Sequence, residues 1–201
     1  MPAQRIERID KSVIIVTGSQ YQAGQGAALS TMDKFLHSGR GYAGELIDVG
    51  DAGFTESRGL VRKTIGKSLR LGRKQVDVVG VGEQGLVAAV AALEQPTLPT
   101  RFRAITVDTR IAPTDSPLVK VSQFEREGQQ HLSTLLRGNE DLVTPETVIH
   151  VVFPSSREQF LGSNAKVVFI DPHRGNYDDL GPTIGLYQLD DEVSSGRLIA
   201  A

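Results

Sequence analysis

Apolar and polar positions along this chain follow two alternating rhythms. Short β-branched runs occupy residues 13–17 (Val13, Ile14, Ile15, Val16, Thr17), 45–49, 76–79 and 104–108, and two more lie at 148–153 and 166–170. Runs of that length and make-up read as buried strands. Between them apolar residues recur at helical spacing: Ala28, Leu29, Met32, Phe35 and Leu36, then Leu60, Val61, Ile65 and Leu69, then the alanine-rich stretch 86–93. Near-continuous apolar strands separated by helices predict an α/β protein. The expected form is a three-layer, doubly wound, Rossmann-like sheet of about six mostly parallel strands with right-handed crossovers.

The rhythm breaks between residues 111 and 146. Pro113 and Pro117 bracket a turn-rich start, and residues 119–136 carry an interrupted apolar pattern that stops at Arg137-Gly138-Asn139. Two expectations stay open: a lid or dimer-arm insertion within one domain spanning 1–201, or an ordinary crossover helix with a long loop. The tail from residue 180 is mixed, with acidic Asp190, Asp191 and Glu192.

Composition narrows the classes. A chain of 201 residues can bury a sizeable core without staples. A formal charge of -2 argues against nonspecific nucleic-acid binding. The absence of cysteine removes disulfides, thiolate nucleophiles and cysteine–zinc sites together. No membrane span or signal segment is visible, so a cytoplasmic protein with a small-molecule ligand is the simplest expectation. The helix over 58–74 has a basic face of Arg58, Arg62, Lys63, Lys67, Arg70 and Lys74. It reads either as a solvated surface or as a contact for a phosphorylated substrate, an acidic partner, or the acidic tail of a second copy, which would give a homo-oligomer.

Chemistry concentrates at Gly80-Val81-Gly82-Glu83-Gln84-Gly85, between the third strand and the alanine-rich helix. In a dinucleotide site one glycine makes the turn, a second admits the pyrophosphate, and a third lets the helix pack on the strand. An acidic residue about 20 positions on then holds the ribose hydroxyls. Gly80, Gly82, Gly85 and Asp108 resemble that fingerprint, which implies an NAD(P)-like cofactor. Arg110 beside Asp108 leaves the choice between NAD and NADP open.

The same residues are similar to the α/β-hydrolase fold, in which a Gly-x-Ser-x-Gly nucleophile elbow joins a strand to a helix. Val16-Thr17-Gly18 stands where an oxyanion loop would begin, residues 79–85 stand for the elbow, and His173 follows the last strand. Gly82 occupies the nucleophile position. The resemblance therefore implies a degenerate, non-catalytic scaffold or assembly subunit, or a displaced nucleophile. A third resemblance is to sugar-phosphate isomerases of the ribose-5-phosphate isomerase B type. Tyr21-Gln22-Ala23-Gly24 stands near the place of their Asp-His-Ala-Gly turn, and the resemblance implies that Glu83 transfers protons.

Two further loops fall where an α/β sheet presents ligands. Gly18 and Ser19 follow the first strand and could wrap an oxyanion with Gly24 and Gly26. Asp171 and His173, in Asp171-Pro172-His173-Arg174, follow the last strand and suit acid–base work, a metal, or a solvated ion-paired loop. Among the other histidines, His37 suits a helix C-terminus, His150 a satisfied strand position, and His131 is an isolated isomerase candidate.

Overall fold

A computed structural model describes residues 10–18, 42–96, 99–107, 109, 121–144, 146–152 and 166–169. Six strands form one sheet: β1 (Lys11–Thr17), β2 (Tyr42–Asp48), β3 (Gln75–Val81), β4 (Arg101–Val107), β5 (Val148–Val152) and β6 (Lys166–Phe169). Their order is β2-β1-β3-β4-β5-β6, and every neighbouring pair is parallel. The direction of winding reverses between β1 and β3. That reversal is the topological switch point, where open α/β sheets present ligands beyond the carboxyl ends of their strands.

The central strands β1, β3 and β4 are buried on both faces, which is why they read as continuous apolar runs rather than alternating ones. On one face Ile14, Val16, Val76, Val78, Phe102, Ala104 and Val148 join a single core with three helices, α1 (Phe54–Arg70), α2 (Gln84–Leu93) and α3 (Gln123–Leu136). On the other, Val13, Ile15, Val79, Ile105 and Ile149 are equally buried. The three-layer α/β expectation is met.

Helix α2 is the centre of the helical layer. All ten of its residues are buried, and it carries no charged residue. Small alanines let it lie close against β3 and β4 while α1 and α3 flank it. Helix α1 turns Phe54, Ser57, Val61, Ile65 and Ser68 inward at helical spacing, and its basic residues face outward or pair. Arg58 grips Glu94, just past the end of α2, through a two-point ion pair, and Lys67 reaches Glu45 on β2 at 3.0 Å.

Residues 121–144, within the segment expected as lid, arm or crossover, hold α3 and a 3-10 turn at Glu140–Leu142. The helix lies between β4 and β5 in the chain and packs on α2 and α1. The contact is close because of Gly128. A Cβ there would sit 2.9 Å from Leu86 Cβ and 2.9 Å from Phe54 Cε2. Around it, Phe54 meets Phe124 edge-on at 5.5 Å and stacks on His131 at 5.3 Å. His131 is thus engaged in packing.

On the opposite face, Asp77 is fully buried and receives Arg103 at both oxygens, Nε to Oδ1 at 3.0 Å and Nη2 to Oδ2 at 2.6 Å. Gln75 Nε2 donates to the same carboxylate at 2.9 Å. The parallel register places Asp77 opposite Arg103, so the pair clips β3 to β4.

Three substitutions test this packing by chemical denaturation. Phe54→Ala should cost about 3–5 kcal/mol through the cavity it leaves, and Gly128→Ala about 1–3 kcal/mol through overpacking. Asp77→Ala should cost about 3 kcal/mol, because a mostly buried guanidinium loses its carboxylate. A loss under about 1 kcal/mol for either Phe54→Ala or Asp77→Ala would contradict this account.

Candidate functional site

The site is built where β3 becomes α2. Only Gly82 and Glu83 separate Val81, the last strand residue, from Gln84, the first helical one. Such a reversal brings backbone onto backbone: a Cβ on Gly80 would lie 2.3 Å from the Gln84 carbonyl oxygen and 2.6 Å from Gly85 N. No side chain fits there. Gly82, at the vertex, has φ +58°, in the left-handed region where a side chain is strained. The Gly85 N–H donates to the Gly82 carbonyl at 3.1 Å and the Leu86 N–H to the Glu83 carbonyl at 3.1 Å, closing the first turn. A Cβ on Gly85 would fall 1.8 Å from Thr109 Oγ1, so this glycine lets α2 pass the buried residue just beyond β4.

The side chains around the vertex diverge. Gln84 stands where the Gly-x-Ser-x-Gly template has its second glycine. It is 2% exposed, and its Oε1 is buried without a hydrogen-bond partner. Its amide lies against Gly18 at the end of β1: a Cβ on Gly18 would meet Gln84 Nε2 at 2.9 Å and the Gly50 carbonyl oxygen at 3.6 Å. Gly50 itself closes the turn after β2, with φ +53° and its N–H donated to Asp48 Oδ1 at 2.9 Å. Gln84 therefore crosses the switch point from α2 toward β1 and β2.

Glu83 goes the other way. Its Oε2 accepts the Ser122 hydroxyl at 2.9 Å. Ser122 also caps α3 through a capping box, its Oγ accepting from Glu125 N–H at 3.0 Å while its own N–H donates to Glu125 Oε2 at 2.9 Å. No side chain caps α2; its Gly85 and Leu86 amides are taken instead by the Gly82 and Glu83 carbonyls of the turn itself.

Below the turn, Gly80, Thr106 and His150 occupy one register row across β3, β4 and β5. His150 is 2% exposed and shares a hydrogen bond through Nδ1 with the Thr106 hydroxyl. Burial pushes its pKa down from 6.5 to about 4, so the ring is neutral at pH 7. It is a satisfied strand residue, as its place in the chain implied.

Of the residues singled out for chemistry, the fold gathers Gly80, Gly82, Glu83 and Gly85 at one turn and brings Gly18 next to that turn through Gln84. Ser19, Asp108, Asp171 and His173 lie outside the described residues, as do His37 and the Tyr21-Gln22-Ala23-Gly24 turn. The nucleotide reading gave the first glycine the turn, the second the approach to pyrophosphate and the third the packing of helix on strand. The close contacts at Gly80 and Gly85 suit the turn and packing roles, which a nucleotide site and an elbow share. Two participants were not read from the sequence. Ser122 was legible from its Ser-x-x-Glu spacing to Glu125, a capping-box signal. Gln84 stood in the motif as a mere spacer, and only its burial marks it out. Among the described residues no group of three His, Asp or Glu side chains is placed to hold a metal, and no helix is long and apolar enough to cross a membrane.

No protein-family model and no curated protein matches this chain. Solved structures do. Carboxyl esterase 2 from the mycorrhizal fungus Tuber melanosporum is similar with a TM-score of 0.54 at 12% identity, over 92% of this chain and 78% of that one. Est1E from Butyrivibrio proteoclasticus gives 0.51 at 15%, over 94% and 91%. A soluble variant of monoglyceride lipase from Saccharomyces cerevisiae gives 0.51 at 12%, over 94% and 88%. At such identities the likeness establishes fold and no more. The fold is that of the α/β hydrolases, so the likeness favours the hydrolase resemblance over the nucleotide-binding one.

His150 sets a pH dependence. Its folded pKa lies below the unfolded value, so protonation favours unfolding. The stability it contributes is complete above about pH 6.5 and is lost as pH falls toward about 4. That difference amounts to about 3 kcal/mol at about 1.36 kcal/mol per pKa unit. Denaturant midpoints measured from pH 7 to pH 4 should fall more steeply for the native chain than for His150→Gln. Parallel curves would refute the assignment.

Proposed function

We propose that this chain is a non-hydrolytic protein of the α/β-hydrolase fold, which holds a small molecule in the crevice at the elbow without forming a covalent intermediate with it. The observation that carries this reading is Gly82 at φ +58° on the vertex of the turn. In an elbow the vertex residue supplies the attacking oxygen or sulfur, and the amide of the following residue helps to stabilise the resulting oxyanion. Here the following residue is Glu83, with its backbone in place, but the vertex has no side chain to deprotonate. A base has nothing to activate at that point, and acyl transfer lacks its first step.

Binding does not need that step. The glycine turn and the start of a helix that no side chain caps stand beyond the carboxyl end of β3, where open α/β sheets take their ligands. A nucleotide or phosphorylated metabolite is the second reading, supported by the same uncapped terminus. The Glu83 carboxylate beside it works against an anion. If no ligand is held, the fold serves as a scaffold in an assembly.

Ester turnover and serine labelling test the reading. Purified protein should release no p-nitrophenol from p-nitrophenyl acetate or butyrate above the buffer rate. It should also gain no mass on incubation with a fluorophosphonate that labels activated serines. A fluorophosphonate adduct accompanied by ester turnover that the reagent abolishes would overturn the reading and locate a displaced nucleophile.

A further inference from the structure

Helix α1 and the turn after it carry charge of one sign. Residues 57–76 include seven Lys and Arg residues and no Asp or Glu, although the whole chain has a formal charge of -2. Because Phe54, Ser57, Val61, Ile65 and Ser68 turn inward, Gly59, Arg62, Lys63, Gly66, Lys67 and Arg70 share the outward face at spacings of three and four. Arg62, Lys63 and Arg70 are exposed and have no ion-pair partner among the described residues, while Lys67 meets Glu45. Leucines stand open beside these cations: Leu60 is 40% exposed, Leu69 38% and Leu71 57%. Neither outward glycine is required from within. A Cβ on Gly59 would meet nothing within 4 Å, and one on Gly66 only the flexible end of Arg70, at 3.9 Å. Glycine weakens a helix interior, so two of them on the open side favour a partner that lies close along the helix.

The face calls for a partner with several anions and some apolar side chains. This chain holds one run of three consecutive acids, Asp190-Asp191-Glu192, with Leu189 before it and Val193 after it. That run lies outside the described residues. In a single copy the cations and leucines of α1 stay open to solvent, so a segment that covers them comes from another copy. We propose that the outward face of α1 docks the acidic segment 189–193 of a second copy, and that the exchange is reciprocal. Each copy gives one segment and receives one, which closes a two-fold dimer with two equivalent contacts. A single exposed ion pair contributes little and is screened by salt, so the dimer depends on several pairs together with the covered leucines and weakens as ionic strength rises. The dimer is independent of what the elbow binds.

Light scattering coupled to size exclusion gives the mass of the full chain at about 50 mM and about 500 mM NaCl. Two triple variants are measured beside it, one with Arg62→Glu, Lys63→Glu and Arg70→Glu, the other with Asp190→Lys, Asp191→Lys and Glu192→Lys. The native chain should be dimeric at low salt, and the higher salt should weaken the dimer at least about tenfold. Each variant alone should be monomeric at both salts, because the first opposes acids to acids and the second cations to cations. Mixed one to one at low salt, they should form a heterodimer, since each face then meets a segment of opposite sign.

The proposal falls if the native chain is monomeric at low salt, if the dimer resists high salt or survives in either variant, or if the mixed variants stay apart. A monomer whose segment resists proteolysis only at low salt would place the segment on its own helix, and a monomer that pellets with phosphatidylserine vesicles would give the face to lipid; each overturns the proposal. Should a variant not fold by circular dichroism, a synthetic peptide of residues 186–195 decides on the native chain. In large excess it should release monomer at low salt, and the same peptide with Asn and Gln in place of its acids should not. Equal effects of the two peptides, or none from either, would count against the docking.

Discussion

The structure depends on how tightly the chain reverses between β3 and α2. Backbone of the strand and backbone of the helix approach so closely that a single added carbon at Gly80 would overlap the Gln84 carbonyl at 2.3 Å. This contact brings α2 down onto the sheet. Because α2 lies so near, every one of its residues is buried, which explains why it has small side chains and no charge. Because α2 is central, α1 and α3 can meet on either side of it, and Gly128 lets α3 close against Phe54. A bulkier turn would lift the helix and open the core shared by all three helices.

The same reversal defines the site. It exposes the vertex residue and leaves the amides of a helix N-terminus beyond the carboxyl end of a central strand, next to the switch point between β1 and β3. Many chemistries could use that arrangement, and the choice among them depends on the side chains placed on it. This chain offers a glycine at the vertex, a buried amide on one flank and a hydrogen-bonded carboxylate on the other. The geometry of an elbow has been kept while the group that would react there is absent. At 12–15% identity, likeness to esterases and lipases indicates architecture and leaves the activity to be argued from the residues.

How far the chain could be read without its structure varied with the range of the forces involved. The strands were legible because burial on both faces leaves runs such as Val13 to Val16 and Val76 to Val79 with no polar alternation to misread. The basic face of α1 was legible from spacing, and so was the glycine turn as a place. The turn and packing roles of its first and third glycines were legible too, but not the neighbours that impose them. Gly85 is glycine because of Thr109, far along the chain on another strand connection, and Gly80 because of a backbone carbonyl four residues on. A local motif cannot reveal such neighbours, so one pattern fitted a nucleotide cradle and an elbow equally well. His131 shows the same limit: an isolated histidine in the sequence, it lies in space against Phe54.

Local sequence by itself determined the rhythm of strands and helices, the parallel α/β class, and the absence of a nucleophile at position 82. These depend on periodicity and on the identity of single residues, both of which act over a few positions. Tertiary structure decided the strand order, the pairing of Asp77 with Arg103, the burial of His150 beside Thr106, and the passage of Gln84 across the switch point toward Gly18. Each of these joins residues that are distant in sequence, and each gains its energy from desolvation that exists only once the sheet and its helices have closed around them.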